Sequence, residues 1–180
     1  MKTLTLFFLI VFTTVLTVNA QITEGNWMVG GDASFYNSKI KGENEESLGS
    51  SNGIRLYPNI GYFFIDQFAG GLNANFNYGK PSGGLSNVGF GLGPFVRYYF
   101  LNPEKRINVF ADANYNYYYS KTKGFPVSNG SNYRFKAGPV IYFNSSVGLE
   151  LTLDYSSTKF DTYTSNDFRF ALGLQIHLEK

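Results

Sequence analysis

The sequence predicts an all-β fold, an eight-stranded antiparallel up-and-down transmembrane β-barrel. Three observations predict it. From Trp27 onward, apolar residues alternate with polar or small ones at a period of two, which is the signature of strands rather than helices. Turn-type stretches divide this alternation into eight segments. One face of every segment is free of charge, while the opposite faces together hold nine charged residues.

The chain begins with Lys2, an apolar stretch over residues 4–18 and the small-residue motif Val18-Asn19-Ala20. Together they read as a cleavable signal peptide over residues 1–20. Thr13, Thr14 and Thr17 interrupt the stretch, and a spanning helix needs roughly 20 strongly apolar residues. Residue 21 is glutamine rather than cysteine, which argues against a lipid anchor. Residues 21–180 are then one domain. The chain has no cysteine, so disulfides cannot stabilise it, and its 15 Lys and Arg nearly balance 13 Asp and Glu. Nothing in that balance points to nucleic acid.

The segments follow in order. The first carries Trp27, Val29, Ala33 and Phe35 on one face and Met28, Asp32, Ser34 and Tyr36 on the other; the second sets Ile54, Leu56, Pro58, Ile60, Tyr62 and Phe64 against Arg55, Tyr57 and Asn59. The third opposes Phe68, Leu72, Phe76 and Tyr78 to Asn73, Asn75 and Asn77; the fourth opposes Val88, Phe90, Leu92, Val96, Tyr98 and Phe100 to Gly89, Gly91, Gly93 and Arg97. In the fifth, Ile107, Val109, Tyr115, Tyr117 and Tyr119 face away from Asp112, Asn114 and Asn116; in the sixth, Tyr133, Phe135, Ile141 and Phe143 face away from Arg134 and Lys136. The seventh sets Leu149, Leu151, Leu153 and Tyr155 against Glu150, Thr152 and Asp154; the eighth sets Phe168, Phe170, Leu172, Leu174 and Ile176 against Arg169, Gln175 and His177. Long polar connections are expected at 39–52, 79–87, 121–132 and 157–166, and short ones at 65–67, 101–106 and 144–146. Such alternation fits short turns on the periplasmic side and long loops outside, with both termini in the periplasm.

The charged face decides between lipid and water. It carries Asp32, Arg55, Arg97, Asp112, Arg134, Lys136, Glu150, Asp154 and Arg169. A basic side chain on the lipid face near the midplane costs roughly 2–4 kcal/mol. Five of them would exhaust the roughly 5–15 kcal/mol of net stability typical of a fold. These residues are therefore expected to line a narrow lumen, where near-balanced signs favour a self-neutralising plug over a charge-selective passage. Trp27, Tyr62, Phe64, Tyr98, Phe100 and Phe143 gather at one end of the strands, and Tyr117, Tyr119, Tyr133 and Tyr155 at the other. Two aromatic girdles around an aliphatic band are the interfacial belts of a membrane protein.

Features that carry chemistry elsewhere are weak here. Gly89, Gly91 and Gly93 precede Pro94 rather than a helix, so a phosphate cradle is not expected. They read instead as space for bulky inward neighbours. His177 is the only histidine and faces inward at the short-turn end, so no catalytic residue, metal or cofactor is expected. Glu43, Glu45 and Glu46 with Lys39 and Lys41 read as a solvated loop, while Lys121, Lys123 and Phe125 are candidates to touch lipid phosphates. Pro58, Pro94 and Pro139 recur on the outward face of alternate strands, each four residues before an aromatic. Local bulges are the expected accommodation.

The segment from Leu56-Tyr57-Pro58 through Tyr62-Phe63-Phe64 to Phe68-Ala69-Gly70-Gly71-Leu72 resembles the small outer-membrane β-barrel domain family. It is especially similar to the porin-like proteins of Bacteroidetes. Gly93-Pro94-Phe95-Val96-Arg97-Tyr98-Tyr99-Phe100 and Gly138-Pro139-Val140-Ile141-Tyr142-Phe143 fit the same style. The resemblance implies an OmpA-type membrane domain in the bacterial outer membrane. The expected partners are outer-membrane lipid and lipopolysaccharide, with the barrel-assembly machinery during insertion. The expected role is structural or surface-interacting and non-enzymatic. A narrow porin-like channel is the alternative, and a lipid A-modifying enzyme stands behind both for want of a catalytic base.

Overall fold

A computed structural model describes residues 22–41, 47–82, 84–160 and 164–179. The expected signal peptide and the trio Glu43, Glu45 and Glu46 lie outside the described residues. Eight strands run in chain order: β1 (Trp27–Lys41), β2 (Ser47–Ile65), β3 (Phe68–Pro81), β4 (Asn87–Tyr99), β5 (Ile107–Thr122), β6 (Val127–Tyr142), β7 (Val147–Phe160) and β8 (Thr164–Leu178). Each pairs antiparallel with its neighbours, and β8 returns to β1 to close the barrel. Over the stretch from Trp27–Leu178 to Ala33–Leu172 that the β1–β8 ladder covers, closure removes sheet edges and satisfies backbone polar groups within the wall, as a structure spanning hydrocarbon must.

The side chains divide as the alternation predicts. Val29, Leu56, Ile60, Leu72, Phe90, Leu92, Val96, Leu151, Leu153, Leu172 and Leu174 are exposed on the outer surface, whereas Asp32, Asn75, Arg97, Asp112, Arg134, Lys136, Glu150 and Asp154 are buried. Water-soluble monomers rarely expose contiguous apolar patches beyond a few hundred Å²; here the outward apolar surface encircles the barrel. Its aromatics pair within and across strands. Trp27 meets Tyr62 at 5.3 Å between ring centroids, Tyr98 meets Phe100 at 5.1 Å, and Tyr155 meets Phe168 at 5.0 Å.

The expected long loops are instead largely strand. Lys39 pairs with Ser50, Tyr119 with Asn129, and Ser157 with Asn166. The connections 82–86 and 123–126 are no longer than the opposite-end turn 100–106. The physical reason is that a hydrogen-bonded ladder constrains backbone, not side chains. Outward positions simply turn polar, at Asn52, Lys80, Lys121, Asn129 and Lys159, while pairing continues. Strands of 13–19 residues exceed the roughly 9–11 needed to cross hydrocarbon. The wall therefore extends past the apolar belt as a polar sleeve.

The prolines produce no bulge. The β2–β3 ladder skips Tyr57 and Pro58 and resumes in the same register, as β4–β5 does at Gly93 and Pro94 and β6–β7 at Gly138 and Pro139. Outward residues of these strands aim their N–H at the following strand, as Phe100 does at Val109 and Phe143 at Val147. A proline there deletes one donor toward that strand only. Ladders to the preceding strand pass through intact, with Gly31 opposite Pro58, Leu72 opposite Pro94 and Val109 opposite Pro139.

At the short-turn end, residues 22–26 fold across the barrel mouth. Ile22 accepts a hydrogen bond from the Gln67 amide at 2.8 Å, and Glu24 N–H donates to Asp66 Oδ1 at 2.9 Å. Gln67, with φ 66°, makes the left-handed turn between β2 and β3 and donates its side-chain amide to Leu101 O at 2.6 Å. Asn144 Oδ1 accepts from the amides of Ser146 and Val147, at 2.9 and 2.8 Å, to shape the β6–β7 turn.

Candidate functional site

The lumen has three storeys. The lowest, nearest the short turns, is apolar: Ile22, Met28, Phe63, Phe95, Tyr99, Phe110, Val140 and Tyr142 form one buried cluster. His177 lies within it, wholly buried, its ring 5.6 Å from Phe63, 5.9 Å from Tyr99 and 5.6 Å from Tyr142. This storey was missed in the sequence because both faces are aromatic there: Tyr62-Phe63-Phe64, Tyr98-Tyr99-Phe100 and Ile141-Tyr142-Phe143 blur the period of two. An apolar stopper closes the lumen's lower end.

Above the stopper lies the charge network. In register, Arg97 sits opposite Asp112, Asp112 opposite Lys136, Lys136 opposite Asp154, and Asp154 opposite Arg169. Signs thus alternate around five successive strands, the favourable arrangement for cross-strand neighbours. Glu150, four residues from Asp154 on β7, and Asp32, opposite Gly173 and so four residues from the level of Arg169, complete it. Arg97 donates from Nε to Asp112 at 3.0 Å and from Nη1 to Glu150 at 2.5 Å, with Gln175 Oε1 at 3.3 Å and Tyr99 OH at 3.2 Å. Lys136 Nζ stands 3.4 Å from Glu150 and 3.5 Å from Asp32. Arg134 Nη2 contacts Asp32 at 2.8 Å and Asp154. Arg169 Nη2 holds Asp32 at 3.0 Å and Asp154 at 2.6 Å, and its Nη1 donates to Ser34 at 3.1 Å. Four cations meet four carboxylates. Guanidinium faces are covered as well: Arg97 over Phe110 at 4.3 Å, with Arg134 and Arg169 over Tyr57 at 4.0 and 4.1 Å.

Arg55 stands apart from this cluster. It pairs with Asp167 at 2.8 Å near the polar end, partly exposed, and its guanidinium lies 4.8 Å over Tyr36. Asp167, the partner of Arg55, falls between the expected connection 157–166 and the eighth alternating segment, so its inward direction has no signal in the sequence. Among the aromatics, Trp27, Phe64, Tyr98, Phe100 and Phe143 are exposed at the short-turn end, as are Tyr117, Tyr119 and Tyr133 toward the other end; Tyr62 and Tyr155 are half-buried by neighbouring rings. Lys121 turns back onto its own hairpin and donates to Phe125 O at 2.9 Å.

The top storey is a polar cup of about 260 Å³. Asn75, Asn77, Asn87, Tyr118, Ser120, Asn132, Thr158 and Phe160 line it. Gly89, Gly91 and Gly93 make it possible. A Cβ at Gly91 would meet Asn75 Nδ2 at 2.5 Å, and one at Gly93 would meet Asn116 Oδ1 at 2.8 Å. A file of side chains on β5 joins cup to charges: Asn116 donates to Asn114 at 3.1 Å, and Asn114 to Asp112 at 3.3 Å.

No protein-family profile matches the chain, and no curated protein does. Solved structures do. Neisserial surface protein A aligns over 85% of this chain and 97% of its own, with a TM-score of 0.61 at 15% identity. OprG of Pseudomonas aeruginosa aligns over 89% and 100%, with 0.53 at 12% identity. The N-terminal β-barrel domain of Pseudomonas aeruginosa OprF aligns over 86% and 98%, with 0.50 at 14% identity. At these identities the likeness is one of fold: the chain has the closed eight-stranded architecture of small outer-membrane β-barrels.

Proposed function

We propose that this chain is an integral protein of the bacterial outer membrane, exported by the signal peptide over residues 1–20, whose closed barrel has a structural or surface-interaction role rather than an enzymatic one. The single observation that carries the reading is the double seal of the lumen. A balanced network of four cations and four carboxylates rests on an apolar stopper. An ion crossing it would have to displace partners of Arg97, whose side chain is wholly buried, and then pass Phe63, Tyr99 and Tyr142. Stranding one member of a buried pair costs roughly 3–5 kcal/mol, far above thermal energy. The outward apolar belt supports residence in lipid, and the solved structures of similar fold support the outer membrane as the bilayer concerned. The finer likeness to Bacteroidetes porin-like proteins is carried by the proline-aromatic motifs of the sequence. On this orientation, the short turns and both strand ends Trp27 and Leu178 face the periplasm and the polar sleeve faces the medium. The position of His177, enclosed by three aromatic rings below the charge network, supports a packing role for it.

Planar-bilayer recording tests the seal. Purified protein is expected to give no steady current; discrete, reproducible conductance steps from the wild type would overturn the closed-lumen reading in favour of a narrow channel.

A further inference from the structure

We propose that the polar cup at the outer end of the lumen is a binding site for a neutral polyhydroxylated ligand, a single saccharide ring. The inference rests on the closed-lumen reading only in that the charge network gives the cup its floor.

Four properties of the lining select this chemistry. The first is an excess of amide acceptors. Asn77 uses its amide N–H on Tyr118 OH at 2.5 Å, Asn87 on Ser120 and Thr122 at 3.0 Å each, and Asn132 on Thr158 at 2.8 Å. Their carbonyl oxygens take no hydrogen bond from any described residue. Asn75, only 4% exposed, is engaged at neither end by a described residue. These amides line the cup, and a ligand rich in hydroxyl donors can engage their acceptors. Ser156, Thr158 and Ser165 add hydroxyls that donate or accept as the ligand requires.

The second property is an aromatic wall. Tyr118 and Phe160 pack edge to face at 5.8 Å beside the cavity, offering apolar surface to the C–H face of a sugar ring. The third is neutrality: Arg55 and Asp167, the charged residues lining the cup, neutralise one another at 2.8 Å. Below them, Arg134 and Arg169 lie over the Tyr57 ring, their charges already matched by Asp32 and Asp154. An anion or a cation would find no uncompensated partner among the described residues lining the cup. The fourth is size. About 260 Å³ is at the small end of ligand pockets, which begin near roughly 300 Å³, so one ring fits and an oligosaccharide must project outward.

Two sources present this chemistry: free sugar in the medium and the headgroup of a glycolipid in the same leaflet. Among the described residues the β1–β8 ladder runs from Trp27 opposite Leu178 to Ala33 opposite Leu172, and no described β1 residue pairs with Ser165 or Asp167. A headgroup carried on a lipid can therefore approach from the flank as well as from above.

The test uses the full mature chain in detergent and in nanodiscs. Saturation-transfer NMR is recorded with glucose, galactose, mannose and N-acetylglucosamine. In a second arm, nanodiscs containing a monoglycosyl diacylglycerol are examined for protection of cup residues. Signal in either arm, weakened roughly tenfold in Asn75→Leu and Asn132→Leu, is the expected result and names the source. Heat-modifiable migration of both variants certifies that they still fold. Silence of the wild type in both arms, or signal that Asn75→Leu and Asn132→Leu leave unchanged, overturns the proposal. Conductance is recorded on the same preparation, so a leaking lumen and an empty cup are separate results.

Discussion

Glu150 shows what the lumen asks of a single residue. It is wholly buried, takes Arg97 on one oxygen at 2.5 Å and faces Lys136 with the other at 3.4 Å. Glu150→Leu would leave Arg97 with Asp112 as its remaining carboxylate and Lys136 with Asp32, one cation in excess in a dry interior. Such a loss costs roughly 3–5 kcal/mol. Urea titration in lipid vesicles measures it, followed through the fluorescence of the single tryptophan, Trp27, which sits on the belt. Lys136→Met added to Glu150→Leu restores the balance: Arg97 keeps Asp112, while Arg134 and Arg169 keep Asp32 and Asp154. Replacing a buried pair by apolar groups is often neutral, so the double variant is expected to be more stable than Glu150→Leu alone. Strictly additive losses would mean that the two charges do not belong to one network.

At the scale of the strand, alternate prolines show how an element tolerates a residue it normally excludes. Pro94 lacks an N–H that would point at β5, and the β4–β5 ladder skips that position while β3–β4 pairing runs through it. Pro94→Ala is therefore expected to change stability by no more than about 1 kcal/mol. Leu92→Pro, two residues away on the same face, deletes a donor where Leu92 is paired with Tyr117 and should cost about 3 kcal/mol. Equal costs in the same urea titration would refute this account. The elements themselves were legible in sequence wherever one face met lipid and the other the lumen. Eight apolar stripes and nine inward charges follow from that contrast. Legibility failed where the contrast vanished. Beyond the belt, at Lys39, Asn129 and Ser157, both faces are polar, so strand reads as loop; near Phe63, Tyr99 and Tyr142 both faces are aromatic, so the inner stopper carries no contrast to announce it. Ile22 lay before the first alternating segment, with no period to announce it.

The whole molecule is an inversion of a water-soluble barrel, and that inversion carries its own test. The charges that would solvate a surface are gathered in the lumen, and the exterior presents Leu153, Phe135, Leu172 and Phe170, the last 84% exposed. In water this surface drives association; in lipid it is matched to its solvent. Leu153 lies mid-strand on β7, between Ala137 and Phe170 in register, one outward position inside the girdle residue Tyr155. Leu153→Arg should cost roughly 2–4 kcal/mol in vesicles, because the guanidinium must leave the interface or drag water to it. Asn129→Arg is outward too, but it lies on the polar sleeve opposite Tyr119, and a surface change there falls within about 0.5 kcal/mol. The contrast between the two positions, rather than either value alone, reads out where the bilayer ends. If arginine costs the same at both, the belt is not in lipid and the sleeve is not outside it. If the cost at Leu153 is several times larger, the membrane boundary lies between residues 129 and 137 of β6, where outward side chains change from Asn129 and Ser131 through Tyr133 to Phe135.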